Sequence, residues 1–99
     1  MRPVARIEVV VRGTVQGVGF RYFVRREASD LDLAGWVGNR ADGSVEVVAE
    51  GSRPGLDRLL ARLAVGPAGS IVTDVEVDWM QPSGEFHGFG VRAGGHPGD

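Results

Sequence analysis

The chain has 99 residues, 42% of them apolar and 24% charged, with a net charge of −2. A chain this short buries little more than roughly 60% of its unfolded surface, which allows one hydrophobic core, and the composition is that of a globular protein rather than a disordered one. With no cysteine, and with arginine supplying all eleven cations, the chain lacks disulfides, thiol nucleophiles, Cys-based metal sites, Walker A loops, Schiff bases and catalytic lysines.

Residues 5–12 open the fold as a strand. Ala5, Ile7, Val9 and Val11 share one parity, Arg6, Glu8 and Arg12 the other, with Val10 the exception. Residues 13–19 hold three glycines. From Phe20 the period changes: Phe20, Phe23, Val24, Ala28 and Leu31 fall at helical spacing, and the helix should end near Leu31. Ala34–Asn39 reads as a short strand. Asp42-Gly43 marks a hairpin, and Val45, Val47 and Ala49 alternate in a third strand.

Ser52 followed by Pro54 starts a second helix with its stripe at Leu56, Leu59, Leu60 and Leu63, and Gly66-Pro67 stops it. Ile71, Thr73, Val75, Val77 and Trp79 alternate with Asp74, Glu76 and Asp78 in a fourth strand. Pro82-Ser83-Gly84 turns the chain. His87, Phe89 and Val91 share a parity in a last short strand, with His87 expected to be partly buried. Trp36 and Trp79 are expected in the core. Residues 93–99 carry glycines and a proline with no apolar anchor, so a flexible tail is expected after a single domain over residues 1–92. The order is β-α-β-β-α-β with an added strand. Two split β-α-β units give an α+β fold with a mostly antiparallel sheet and both helices on one face.

The segment most informative about chemistry is Val15-Gln16-Gly17-Val18-Gly19-Phe20-Arg21, between a strand and a helix. A helix start leaves N–H groups unpaired and carries positive partial charge. Glycines let consecutive N–H groups turn inward as a nest for an anion. A plain glycine-rich turn would look similar, but Arg21 argues for the anion. A cation in the first turn opposes the helix dipole at roughly 0.3–1 kcal/mol, and no acid accompanies it until Glu27. The third glycine of a Rossmann fingerprint is missing.

This segment closely resembles the phosphate-cradle signature of the acylphosphatase family. Gly35-Trp36-Val37-Gly38-Asn39-Arg40-Ala41-Asp42-Gly43-Ser44-Val45-Glu46 resembles the family's second signature, at the expected distance, and Ser83-Gly84-Glu85-Phe86-His87-Gly88-Phe89 its closing hairpin. The resemblance covers residues 5–92. It implies a ferredoxin-like α/β sandwich and hydrolysis of acyl phosphates with neither metal nor organic cofactor. It implies that Arg21 binds the phosphoryl group, that the backbone amides of Val15, Gln16, Gly17, Val18, Gly19 and Phe20 cradle it, and that Asn39 positions the attacking water. The chain departs from the family at Asp32, where glycine is usual and where a left-handed residue should leave the loop slightly strained. Arg12, Thr14 and the tail also depart, away from the inferred chemistry.

Such a reaction needs few groups. The leaving carboxylate requires no general acid, and phosphoryl transfer is mostly positioning and charge stabilisation, which amides and a guanidinium fork supply. An asparagine amide offers a donor and an acceptor to a water. The resemblance lets the substrate's own phosphate take the proton. An RNA-recognition fold shares the element order but wants an aromatic, basic third strand, whereas residues 44–50 are acidic and without an aromatic. A carbamoyl-phosphate-handling domain, like the acylphosphatase-like portion of hydrogenase-maturation proteins, and a non-catalytic phosphate binder of the same fold are the other rivals. The first belongs to much longer chains; the presence of both Arg21 and Asn39 argues against the second. Further expectations are a monomer that binds inorganic phosphate or sulfate, with no nucleic acid, no membrane partner and no signal peptide, located in the cytoplasm.

Overall fold

The computed structural model describes residues 3–93. Its elements are β1 (Ala5–Thr14), α1 (Phe20–Asp30), β2 (Ala34–Asn39), β3 (Val45–Gly51), α2 (Arg53–Val65), β4 (Ile71–Met80) and β5 (Phe89–Arg92). One sheet holds all five strands in the order β4-β1-β3-β2-β5. Every pairing is antiparallel except that of β2 with β5. β3 thus lies between the parallel β1 and β2, and β1 between the parallel β3 and β4, which is the interleaving of two split β-α-β units. This is the expected ferredoxin-like α/β sandwich. No described helix is long and apolar enough to cross a membrane. Beyond Ala93, the expected tail lies outside the described residues.

The core follows the sequence periods. Ile7, Val9 and Val11 of β1 and Val45, Val47 and Ala49 of β3 face the buried stripes of α1 (Phe20, Val24, Ala28) and α2 (Leu56, Leu59, Leu63). The Ser52 hydroxyl accepts the Gly55 N–H at 3.1 Å and caps α2, and Pro54 sits in its first turn. Gly66 ends α2 with φ +72°. An Arg62–Glu27 ion pair of 2.9 Å joins the two helices.

β4 departs from its expected alternation. The β1–β4 register slips between Arg12 and Gly13, so that Arg12 opposes Asp74 while Gly13 opposes Val72. Thr73 is the extra residue of a bulge, and the bulge reverses the parity. Val72, Val75 and Val77 pack on the core while Ile71 turns out to solvent. Gly13, at φ +131°, is required there, because a Cβ would stand 2.0 Å from the Ile71 carbonyl oxygen.

Neither tryptophan is in the core. Trp79 is 38% exposed and lies under the Arg53 guanidinium, 3.8 Å from its ring centre. Trp36 has the parity opposite to buried Val37, on the face without helices, where Arg92 covers it at 4.1 Å. An indole carrying an arginine is shielded without being enclosed.

The segment 81–88 is not a hairpin. β4 and β5 are the two edges of the sheet, so the chain must cross its whole width between them. Buried Glu50 of β3 holds this crossover. Its carboxylate accepts the Ser83 N–H (2.8 Å), the Ser83 hydroxyl (2.8 Å) and the Gly84 N–H (2.9 Å), and pairs with Arg6 at 2.9 Å. Arg6 also lies over Phe86. His87 belongs to this crossover rather than to β5 and is exposed, contrary to expectation.

Asp32 is left-handed as expected, at φ +57°. The Leu33 N–H bonds to Ala28 O (2.9 Å) and the Asp32 N–H to Ser29 O (3.1 Å), a Schellman termination of α1. Asp32→Gly should relieve the Cβ strain and raise stability by about 1 kcal/mol, read as a higher urea midpoint at unchanged slope. An unchanged or lower midpoint would contradict the strain.

Glu50 makes stability depend on pH. Burial opposes its charge, but the Ser83 and Gly84 amides, Arg6 and the Ser83 hydroxyl outweigh burial and lower its pKa below the ordinary 4.5. A depressed carboxylate contributes stability fully above its unfolded value and loses that contribution as pH falls through the folded one. Glu50→Gln should therefore cost about 2–3 kcal/mol near neutral pH and flatten the acid limb below pH 4.5. Denaturant midpoints of both proteins across that limb test this; parallel limbs would show that Glu50 is not the group responsible.

Candidate active site

β1 and β2 finish at the same end of the sheet, and the site forms between their C-terminal ends. After Thr14 the loop 15–19 runs into α1. Val15 and Phe20 are buried and anchor the loop at both ends. Gly17 and Gly19 both have φ +76°, with open space where a Cβ would stand. Glycine is needed there for backbone conformation and not for clearance. Gly19 occupies the N-cap position with no side-chain capping bond. The first bond of the helix is Phe23 N–H to Gly19 O at 3.1 Å. The N–H groups of Phe20, Arg21 and Tyr22 precede it and have no place in the helical ladder. The first turn holds no acid.

A cavity of about 100 Å³ is lined by Val15, Gly17, Gly19, Phe20, Arg21, Tyr22 and Asn39. Arg21 and Asn39, 18 positions apart in the sequence, thus meet in one concavity with the glycine loop. The Arg21 guanidinium donates to the carbonyl oxygen of Arg92 at 3.3 Å, which ties it to the end of β5. Asn39 is the last residue of β2 and is buried. A guanidinium, unladdered amides at a helix start and a carboxamide around a small cavity form a site for a compact oxyanion. Among the described residues, no cluster of three or more His, Asp or Glu side chains could hold a metal ion.

Two loop residues differ from their neighbours. Val18 packs partly against the core. Gln16 turns its side chain away from the loop, and its amide nitrogen donates to the carbonyl oxygens of Arg40 (2.8 Å) and Ser44 (2.9 Å). Those carbonyls open and close the β2–β3 turn, where the Asp42 carboxylate accepts the Ser44 hydroxyl and the Ser44 N–H. These bonds hold the Asp42 pKa below its ordinary value. Three features escaped the sequence reading: the Gln16 side-chain bonds, Tyr22 at the cavity rim and the Arg92 carbonyl behind Arg21. Only Tyr22 left a trace in the sequence, as an aromatic in the first turn off the apolar stripe.

The acylphosphatase family model matches residues 7–91. Acylphosphatases of Salinibacter ruber and Moorella thermoacetica are 46% and 50% identical to this chain, over 88% and 81% of it and 92% and 86% of their own lengths. The crystal structure of the acylphosphatase from Bacillus subtilis superposes with a TM-score of 0.86 at 42% identity, covering 89% of this chain and 98% of that one. Full-length HypF in a phosphate- and nucleotide-bound form superposes with a TM-score of 0.82 at 25% identity, over 95% of this chain but 12% of HypF. A family match over nearly the whole chain, on a fold whose strand ends hold the glycine loop, Arg21 and Asn39 around one cavity, establishes that this chain belongs to the acylphosphatase family.

Proposed function

We propose that the cavity between the loop 15–20, Arg21 and Asn39 is where this acylphosphatase-family chain hydrolyses the carboxyl–phosphate bond of acyl phosphates. The observation that carries the proposal is the single small cavity lined by the glycine loop, Arg21 and Asn39. The amides of residues 15–20 and the Arg21 fork hold the three phosphoryl oxygens. Asn39 holds a water in line with the bond to be broken. The water oxygen forms a bond to phosphorus, and the bond from phosphorus to the acyl oxygen breaks. The electron pair leaves on the carboxylate, and the water's proton passes to a phosphate oxygen. An acyl phosphate dianion and water thus become a carboxylate and dihydrogen phosphate.

The chemistry suits what the site contains. A carboxylate leaves without protonation, and an equatorially spread charge is met by fixed dipoles and one guanidinium. An alkoxide leaving group would need an acid, and the cavity lining supplies no carboxyl or imidazole.

An aryl acyl phosphate should therefore turn over rapidly while a phosphomonoester of similar size does not. Comparable rates on both would reject the mechanism. Arg21 touches the phosphoryl group before and during reaction, so Arg21→Gln should raise the phosphate inhibition constant and lower kcat/KM by about 10³. Asn39→Ala should lower kcat by about 10²-fold or more with phosphate inhibition nearly intact. Equal weakening of phosphate binding in the two variants would dissolve this division of labour.

Inorganic phosphate should also raise Tm, because a ligand of the folded state alone adds about 2.7 kcal/mol at one hundred times its dissociation constant. The shift should vanish in Arg21→Gln. A melting curve unmoved at tens of millimolar phosphate or sulfate would show that the cradle holds no anion.

A further inference from the structure

The two halves of the cavity belong to different parts of the chain. The anion half is the loop 15–20 with the start of α1; the water half is Asn39 at the end of β2. β3 runs between β1 and β2, so the two ends are not hydrogen-bonded neighbours in the sheet. In-line attack depends on the position of one half relative to the other, and an error of an ångström is costly.

Gln16 spans that gap. Its single amide nitrogen uses both hydrogens, one on the Arg40 carbonyl at 2.8 Å and one on the Ser44 carbonyl at 2.9 Å. Only the NH2 end of the carboxamide can face two carbonyls, which settles the orientation of the amide. The two acceptors are also the residues that close the turn, through Arg40 N–H to Ser44 O at 2.9 Å and Gly43 N–H to Arg40 O at 3.2 Å. Arg40 follows Asn39 directly, and Ser44 precedes the first residue of β3. The side chain therefore grips the turn on either side of its reversal, next to the residue that holds the water.

The residue type fits the task. A carboxylate at this position could not donate to carbonyls and would repel the substrate. A lysine or arginine could donate but would place a second full charge beside the cradle, in competition with Arg21 for the dianion. Asparagine is one methylene shorter. Glutamine supplies two neutral donors at the required reach.

We propose that the side chain of Gln16 is a positioning group that fixes the register between the phosphate cradle and Asn39, and so places the attacking water without itself touching the substrate. This rests on the reading that Asn39 holds the water. The Gln16 backbone N–H can serve the cradle whatever the side chain does, so a side-chain variant separates the two roles.

The test is a double-mutant cycle. Gln16→Met keeps the length of the side chain and removes both donors. It should lower kcat by about tenfold to a hundredfold and leave the phosphate inhibition constant within about twofold. In an Asn39→Ala background the same substitution should change kcat by less than about twofold, because the group whose position it controls is gone. Gln16→Glu, also of matched length and unable to donate when ionised, is the second variant; its kcat should fall likewise, with an added loss of phosphate binding from its charge that persists in the Asn39→Ala background. Urea melts identify the folded variants. Equal proportional losses in the two backgrounds, or a loss of phosphate binding as large as the loss of turnover in Gln16→Met, would overturn the positioning role while leaving that of Asn39 intact. Near-full turnover of Asn39→Ala alone would overturn both.

Discussion

The site depends on one topological constraint: β3 is inserted between two strands that run the same way. β1 and β2 therefore finish at the same end of the sheet, two strand spacings apart, which is about 10 Å. That interval is too wide for main-chain pairing and leaves room for the small cavity. The glycine loop fills one side, the end of β2 the other, and the start of α1 supplies the unladdered amides between them. Nothing in this arrangement needs a long or specialised loop. It follows from interleaving two β-α-β units and from where each strand stops.

Both ends of the sheet bring backbone amides and a guanidinium together. At the far end, the carboxylate of Glu50 sits on the consecutive amides of Ser83 and Gly84 and on the Arg6 guanidinium. At the near end, a helix start and a guanidinium surround an open cavity. The first set is satisfied by the chain itself and holds the fold together. The second surrounds an open cavity and has a local cost: a cation in the first turn of α1, with no acid to offset it, works against the helix dipole by about 0.3–1 kcal/mol, and the helix has no side-chain cap.

Much of this was legible in the sequence because much of it is local. Phe20 begins α1, Ser52 and Gly66 bound α2, and Asp42-Gly43 turns β2 into β3, each by chemistry within a few residues. Asp32 stood out at a helix end and is left-handed. The glycine loop, Arg21 and Asn39 could be named together and do meet in one cavity. The misses are non-local. The β4 bulge exists only in the pairing with β1, so the alternation of Ile71 and Thr73 with Val75 pointed the wrong way. Pro82-Ser83-Gly84 has the chemistry of a tight turn, but the partner that sets its path is Glu50, 33 residues earlier. The hydrophobicity of Trp36 and Trp79 points to the core, but an arginine stacked on an indole leaves no mark in the sequence. The Gln16 side chain was hidden because its partners are backbone carbonyls, and these are silent in a sequence.

The acidic alternation of β4 has a consequence beyond this molecule. An open five-stranded sheet has two edges whose free N–H and C=O groups could recruit another copy. β4 is the long edge, and Asp74, Glu76 and Asp78 stand along it, only partly neutralised by Arg12, which pairs with the first two. Two such edges in antiparallel contact would set like charges against one another. The bulge at Thr73 interrupts the ladder that a second strand would have to follow. The opposite edge, β5, is four residues long and contains Gly90. Charge and a bulge on β4, and shortness on β5, thus disfavour growth of the sheet at both margins.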